Sequence, residues 1–241
     1  MPQLFFVPDL DDHGDYCDLN EERSHYMCRV MRLEAGAKVM AFNGDGKIFS
    51  ATLERAHPKQ AKLSVDALLS SEERTKNEIA IGLSLIKGGA MDRAIAQATE
   101  LGAQRILLLQ SERSNVSLKK ERMDKKIEHL KKVAISSCEQ SGRSIIPKIS
   151  RPHSVPEIIE ATKQDFSWRA FLDPKGAPFP NQIALQRRLV IIGPEGGFSK
   201  KESDALSAAG IKGLRLGSRT FRAENMPAVS LTALQQASGW I

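Results

Sequence analysis

RRLVIIGPEGGFSKKE, residues 187–202, is where the fold is decided. Leu189–Ile192 reads as a short buried strand, Gly193-Pro194-Glu195-Gly196-Gly197 ends it, and SKKESDALSAAG continues at helical period. Strand, glycine turn and helix form the unit of a parallel α/β sheet, where ligands bind beyond the carboxyl ends of the strands. Glycines at that point let bare main chain approach a ligand. A tight strand-to-helix turn with no ligand reads the same way. Neither phosphate signature fits, since the loop is neither GxxxxGKS/T nor GxGxxG.

Outward from this loop, the same rhythm fills everything after residue 78. EIAIGLSLI, RILLLQ, WRAFLDP, RLVII and GLRLG read as strands. AMDRAIAQATELG, the segment 120–140, VPEIIEATK, SKKESDALSAAG and a last helix from about Met226 read as helices. In the first helix Met91, Ala94, Ile95, Ala98 and Leu101 fall on one face, with Gly102 at the place of a C-cap glycine. Residues 1–70 differ. LFFVP, KVMAFNGDGKIFSATLERA and QAKLSVDALL read as strands, with Asn43-Gly44-Asp45-Gly46 turning a hairpin. Between them NEERSHYMCRVMRLEAG reads as a helix from Asn20 to Gly36 carrying Arg23, Arg29 and Arg32. The polar stretch Ser70–Glu78 is the best linker, giving units of about residues 1–71 and 72–241.

The chain has 241 residues, enough for one large core or two smaller ones. Its 35 Lys and Arg against 29 Asp and Glu give a formal charge of +6, which suits a polyanionic partner. Three scattered cysteines, Cys17, Cys28 and Cys138, make neither a disulfide framework nor a zinc site and point to a reducing cytoplasm. No secretory start and no membrane-length apolar run is present, and the histidines show no metal spacing.

A second glycine-ended strand, LRLGSRTFRAENMP, follows the first within the last 50 or so residues. Taken in order, HYMCRVMR (25–32), KGGAMDRAIAQATELGAQRI (87–106), SERS (111–114), EQSGR (139–143), IIGPEGGFS (191–199) and LGSRTFRAEN (216–225) carry a resemblance. The chain resembles the SPOUT class of RNA methyltransferases, and within it the RsmE family, which methylates N3 of a uridine in small-subunit (16S) ribosomal RNA. The last motif departs from the family's usual LRTET, because Ala223 and Asn225 replace the two threonines around Glu224.

The resemblance implies an α/β SPOUT-type sheet with a deep carboxyl-terminal trefoil knot, preceded by a small PUA-like RNA-binding β-barrel. It implies S-adenosylmethionine as cofactor, held by Leu172, Ile192, Gly193, Pro194, Glu195, Gly196, Gly197, Leu216, Gly217 and Arg222. For catalysis it puts forward Arg219 and Arg222 on the uracil oxygens, with Glu224 orienting an arginine or assisting proton removal. A structural Arg222–Glu224 ion pair, and a Glu195 that only complements a helix N-terminus, are the plainer readings. His25, Arg29, Arg32, Arg113, Gln140 and Arg143 are the expected RNA contacts, against a reading as solvated surface charge. The implied partners are 16S ribosomal RNA in the small subunit and a second copy of the chain, in the cytoplasm, with no membrane or metal. A ribosome-associated RNA-binding factor without catalysis is the rival.

Overall fold

Alternating strands build one sheet and continuously buried strands the other, seen in a computed structural model that describes residues 3–11, 14–72, 77–116, 120–184 and 186–239. The chain divides into two compact units, Met1–Arg74 with Cys138–Ile146, and Thr75–Ser137 with Pro147–Ile241.

The first unit is a five-stranded sheet of β1 (Leu4–Phe6), β2 (Tyr16–Asp18), β3 (Lys38–Phe42), β4 (Lys47–Arg55) and β5 (Lys62–Ser71), in the order β1-β3-β4-β5-β2. The predicted hairpin is β3–β4, antiparallel with Met40 opposite Ser50, whereas β1 lies parallel to β3. Phe5, Val39, Phe49, Leu53 and Leu63 fill its core. Ser70 and Ser71, read from the sequence as linker, pair with Ile48 and Lys47 as the end of β5. Residues 73–76 of that linker lie outside the described residues.

The predicted amino-terminal helix begins at Asn20, whose side chain accepts from the Arg23 N–H. It is only partly α. Helix α1 (Glu21–His25) widens into a π turn, Tyr26–Val30, and Arg32 then takes φ +55°. A positive φ at a non-glycine residue ends any helix, so helical spacing does not relate Arg32 to Arg29.

The segment Cys138–Ile146 of the first unit completes its packing. Cys138 joins Leu4 and Phe42 in a small buried cluster, and burial pushes its thiol pKa up to about 12. Glu139 accepts from the Phe6 N–H at 2.9 Å and from Arg23 Nη2 at 3.1 Å. Arg23 also lies over the rings of Phe6 and Tyr26.

The second unit is a parallel six-stranded sheet of β6 (Ile79–Ser84), β7 (Arg105–Leu109), β8 (Lys148–Ile149), β9 (Trp168–Pro178), β10 (Arg188–Ile192) and β11 (Lys212–Arg215). Its order is β11-β9-β10-β6-β7-β8, with the quoted strand β10 well inside it. Both faces are covered, which is why β6 and β10 are buried along their whole length and, apart from Ser84 and Arg188 at their ends, apolar rather than alternating. Ile81, Leu83, Val190 and Ile192 face a cluster with α2 (Gly89–Glu100), α3 (Lys120–Ser141) and α6 (Met226–Ala237). Ala80, Leu189 and Ile191 face the other way, toward α4 (Val155–Thr162) and α5 (Lys200–Ala208).

Candidate functional site

At the carboxyl ends of β9, β10 and β11 glycines turn the chain or let strands approach closely. Beyond β10, Gly197 takes φ +66° and its N–H donates to the Pro194 carbonyl at 2.8 Å, closing a tight turn. A Cβ on Gly193 would stand 3.2 Å from the Phe198 ring, which is wedged edge-on against Phe171. The loop is thus held from beneath and open above, where Glu195 and Gly196 are exposed.

Its far end is fixed by α5. Ser199 caps the helix, and the Glu202 carboxylate accepts from the Ser199 N–H at 2.9 Å. Glu202 is only 6% exposed, and its other oxygen accepts from the Glu112 N–H at 2.9 Å. Arg113 Nη1 donates to the Gly196 carbonyl at 3.0 Å. Arg113, expected to touch RNA, therefore braces the glycine loop with at least one of its N–H groups. Glu202 was missed in the sequence, although Ser199-x-x-Glu202 is the signature of a capping box.

The other two strands meet irregularly. β11 pairs first with Ala170 and Phe171 of β9, then with Ala177 and Pro178, so residues 172–176 stand outside the ladder. The two strands touch where both are glycine: a Cβ on Gly176 would lie 2.4 Å from the Gly213 carbonyl oxygen. Past β11 the chain turns at Gly217, φ +72°, with open space where a Cβ would point. A cleft of about 520 Å³ opens here, bordered by Pro178, Phe179, Leu216, Gly217, Phe221 and Val229 among others. Of the expected cofactor residues it takes in Leu216 and Gly217, while Gly193–Gly197 lie two strands away at the end of β10. Ile192 is buried in the core and Leu172 packs against it, so Ile192 can offer a ligand only its main chain.

Arg219 and Arg222 are both exposed, on the loop that leads into a 3-10 turn, Ala223–Asn225, and then α6. Glu224 is 15% exposed and accepts from Arg93 Nη2 at 3.2 Å. Its own backbone N–H, then Arg93 and Arg222, hold the carboxyl below the usual range. Arg93, 61% exposed on α2, belongs to the KGGAMDR motif, but nothing in that motif's spacing pairs it with a residue 131 positions on.

The remaining candidates belong to the first unit. His25, Arg29, Arg32 and Gln140 are exposed, and Arg143 is half-buried. Among the described residues no group of His, Cys, Asp or Glu could hold a metal ion, and no helix is long and apolar enough to cross a membrane.

Comparison with known proteins bears on both units. A model described as an RNA methyltransferase domain matches residues 73–235, and one described as an RNA methyltransferase PUA domain matches residues 19–66. The chain is 29% identical to a ribosomal RNA small subunit methyltransferase E from Buchnera aphidicola, covering 99% of this chain and 94% of that one. It is 28% identical to the protein of that name from Bacillus subtilis, over 88% and 87%. A protein from Legionella pneumophila, assigned as a methyltransferase and solved with its cofactor SAM bound, superposes with a TM-score of 0.90 at 29% identity, over 99% and 98%.

Proposed function

The chain belongs to the RNA methyltransferase family, and from that membership we propose that it transfers the methyl group of S-adenosylmethionine to N3 of a uridine in 16S ribosomal RNA. What carries the reading is the end-to-end correspondence with relatives named for ribosomal RNA small subunit methylation. The β-rich unit, with its match to an RNA methyltransferase PUA domain, supports RNA as the substrate. We read the units as residues 1–71 and 72–241, with Cys138–Ile146 of the latter packing into the first. The carboxyl-terminal loops form a trefoil knot on this reading, the enzyme is a cytoplasmic homodimer, and α6 contributes to its interface.

The residues present fit the cofactor. The cleft is large enough for a nucleoside with a short side chain, offers it Pro178, Phe179 and Val229 beside the polar Arg215 and Ser218, and has Gly217 leaving main chain uncovered. Leu216 and Gly217 would hold the cofactor by main chain there, with Leu172 and Ile192–Gly197 completing the floor. Bound S-adenosylmethionine supplies an electrophilic methyl on a sulfonium. The chain's own work is to hold the base in line and stabilise the anion left as N3 loses its proton. Exposed Arg219 and Arg222 suit the uracil oxygens. Glu224, ionised and tied to Arg93, suits an anchor for Arg222 better than a proton acceptor, because a depressed pKa weakens a base.

The test is methyl transfer from labelled S-adenosylmethionine to small ribosomal subunits from cells lacking the protein, with the labelled nucleotide mapped. Label at N3 of one uridine, reduced about 100-fold or more in Arg222→Ala, is expected from the loss of one transition-state contact. No label, with no cofactor binding by calorimetry, would leave an RNA-binding factor instead.

A further inference from the structure

Phe221 stands out among the large apolar side chains of the second unit. Most are buried in its two clusters, whereas Phe221 is 39% exposed. It borders the cleft together with Phe179, but the two rings are held differently. Phe179 packs edge-on against Trp168 at 6.1 Å and rests against the core. Phe221 sits in the loop beyond Gly217, with exposed Arg219 and Arg222 on either side of it in sequence. An exposed benzyl group keeps apolar surface in water, a cost that disappears when something flat covers it.

Resting on the methyltransferase reading, we infer that Phe221 is the stacking platform for the target nucleobase, a specificity residue at the rim of the cleft. The chemistry matches the surroundings. An unpaired base offers a π-face to the ring while its carbonyl oxygens and flanking phosphates meet the two guanidiniums. The part of the cleft beside Phe179 and Gly217 is left for the cofactor. A base has to be splayed from its stack before an in-line methyl transfer to N3, and a ring on the rim recovers part of the lost stacking.

Three readings of Phe221→Ala and Phe221→Trp decide the matter. For Phe221→Ala, KM for small subunits rises about 5- to 150-fold, the range of base–aromatic stacking, while cofactor affinity by calorimetry stays within twofold. Phe221→Trp restores KM, and its indole fluorescence is quenched by oligouridylate. Wild-type protein irradiated with oligouridylate carrying 5-bromouridine cross-links at Phe221, a readout that needs no turnover. Weakened cofactor binding with unchanged RNA KM would give the ring to the cofactor instead. A shift from dimer to monomer in sedimentation would give it to the subunit interface, and either outcome overturns the inference. A cross-link at Phe221 with no methyl transfer by wild type would retain the platform and reject the methyltransferase reading.

Discussion

Glu224 shows how environment chooses among roles that a sequence leaves open. A carboxylate beside an arginine can be a base, an orienter or half of an ion pair, and the motif alone does not distinguish them. Its backbone N–H, Arg93 and Arg222 all favour the ionised form. A carboxyl whose folded pKa lies below its unfolded value adds stability above that unfolded value and loses it only as pH falls through the depressed one. Between pH 6 and 9 it stays charged, so it contributes no limb to the rate profile. Glu224→Gln should therefore lower kcat, by about 10-fold for lost orientation of a catalytic group, and leave the shape of the pH–rate curve unchanged. Removal of an acidic limb by this substitution would show that Glu224 takes the N3 proton after all.

Among elements, what the sequence made legible was whatever depends on local periodicity. The face of α2 and the start of α6 at Met226 both follow from spacing within one turn or two. The π turn at Tyr26–Val30 did not, because no local residue pattern marks it; what the structure adds is that Met27 within it is buried in the core of the sheet. The step in the β9–β11 ladder also escaped, since register is a relation between strands 40 or so residues apart. Gly176 is the element-scale key to that step. Nothing marks it in WRAFLDPKGAP, yet its backbone leaves no room for a methyl beside Gly213. Gly176→Ala is expected to cost about 3 kcal/mol, at the upper end for overpacking because the obstacle is main chain. A urea midpoint lowered at unchanged slope would show it. Cofactor affinity should fall together with stability, since Leu216 and Gly217 continue directly from β11. A stable Gly176→Ala protein with intact binding would mean that the step is not rigid.

For the whole molecule, the main surprise is that the units are not consecutive stretches of chain. Composition changes near residue 72, and a reader of sequence places the boundary there because linkers are polar and contacts across them are few. Residues 138–146 belong with the first unit even so. EQSGR looked like surface recognition, and Gln140 is exposed as that requires, but its first residue works inward. Glu139 accepts from the Phe6 N–H and pairs with Arg23, while Cys138 fills the gap between Leu4 and Phe42. Asp45 bridges to Ile145, and Gly44 lies so close to Ile146 that a Cβ would come within 2.7 Å of it. Cutting the chain at the composition boundary would remove all of these at once. It would leave Phe6 without a carboxylate partner and expose the apolar face around Phe42, in a unit too small to tolerate much loss. A fragment of residues 1–71 should therefore show no cooperative thermal transition by circular dichroism and should bind a hydrophobic dye. Joining residues 138–146 to its end through a flexible glycine–serine linker should restore a sigmoidal melt. A cooperative melt from the unaided fragment would show instead that the β sheet folds on its own core and that the distant segment only decorates it.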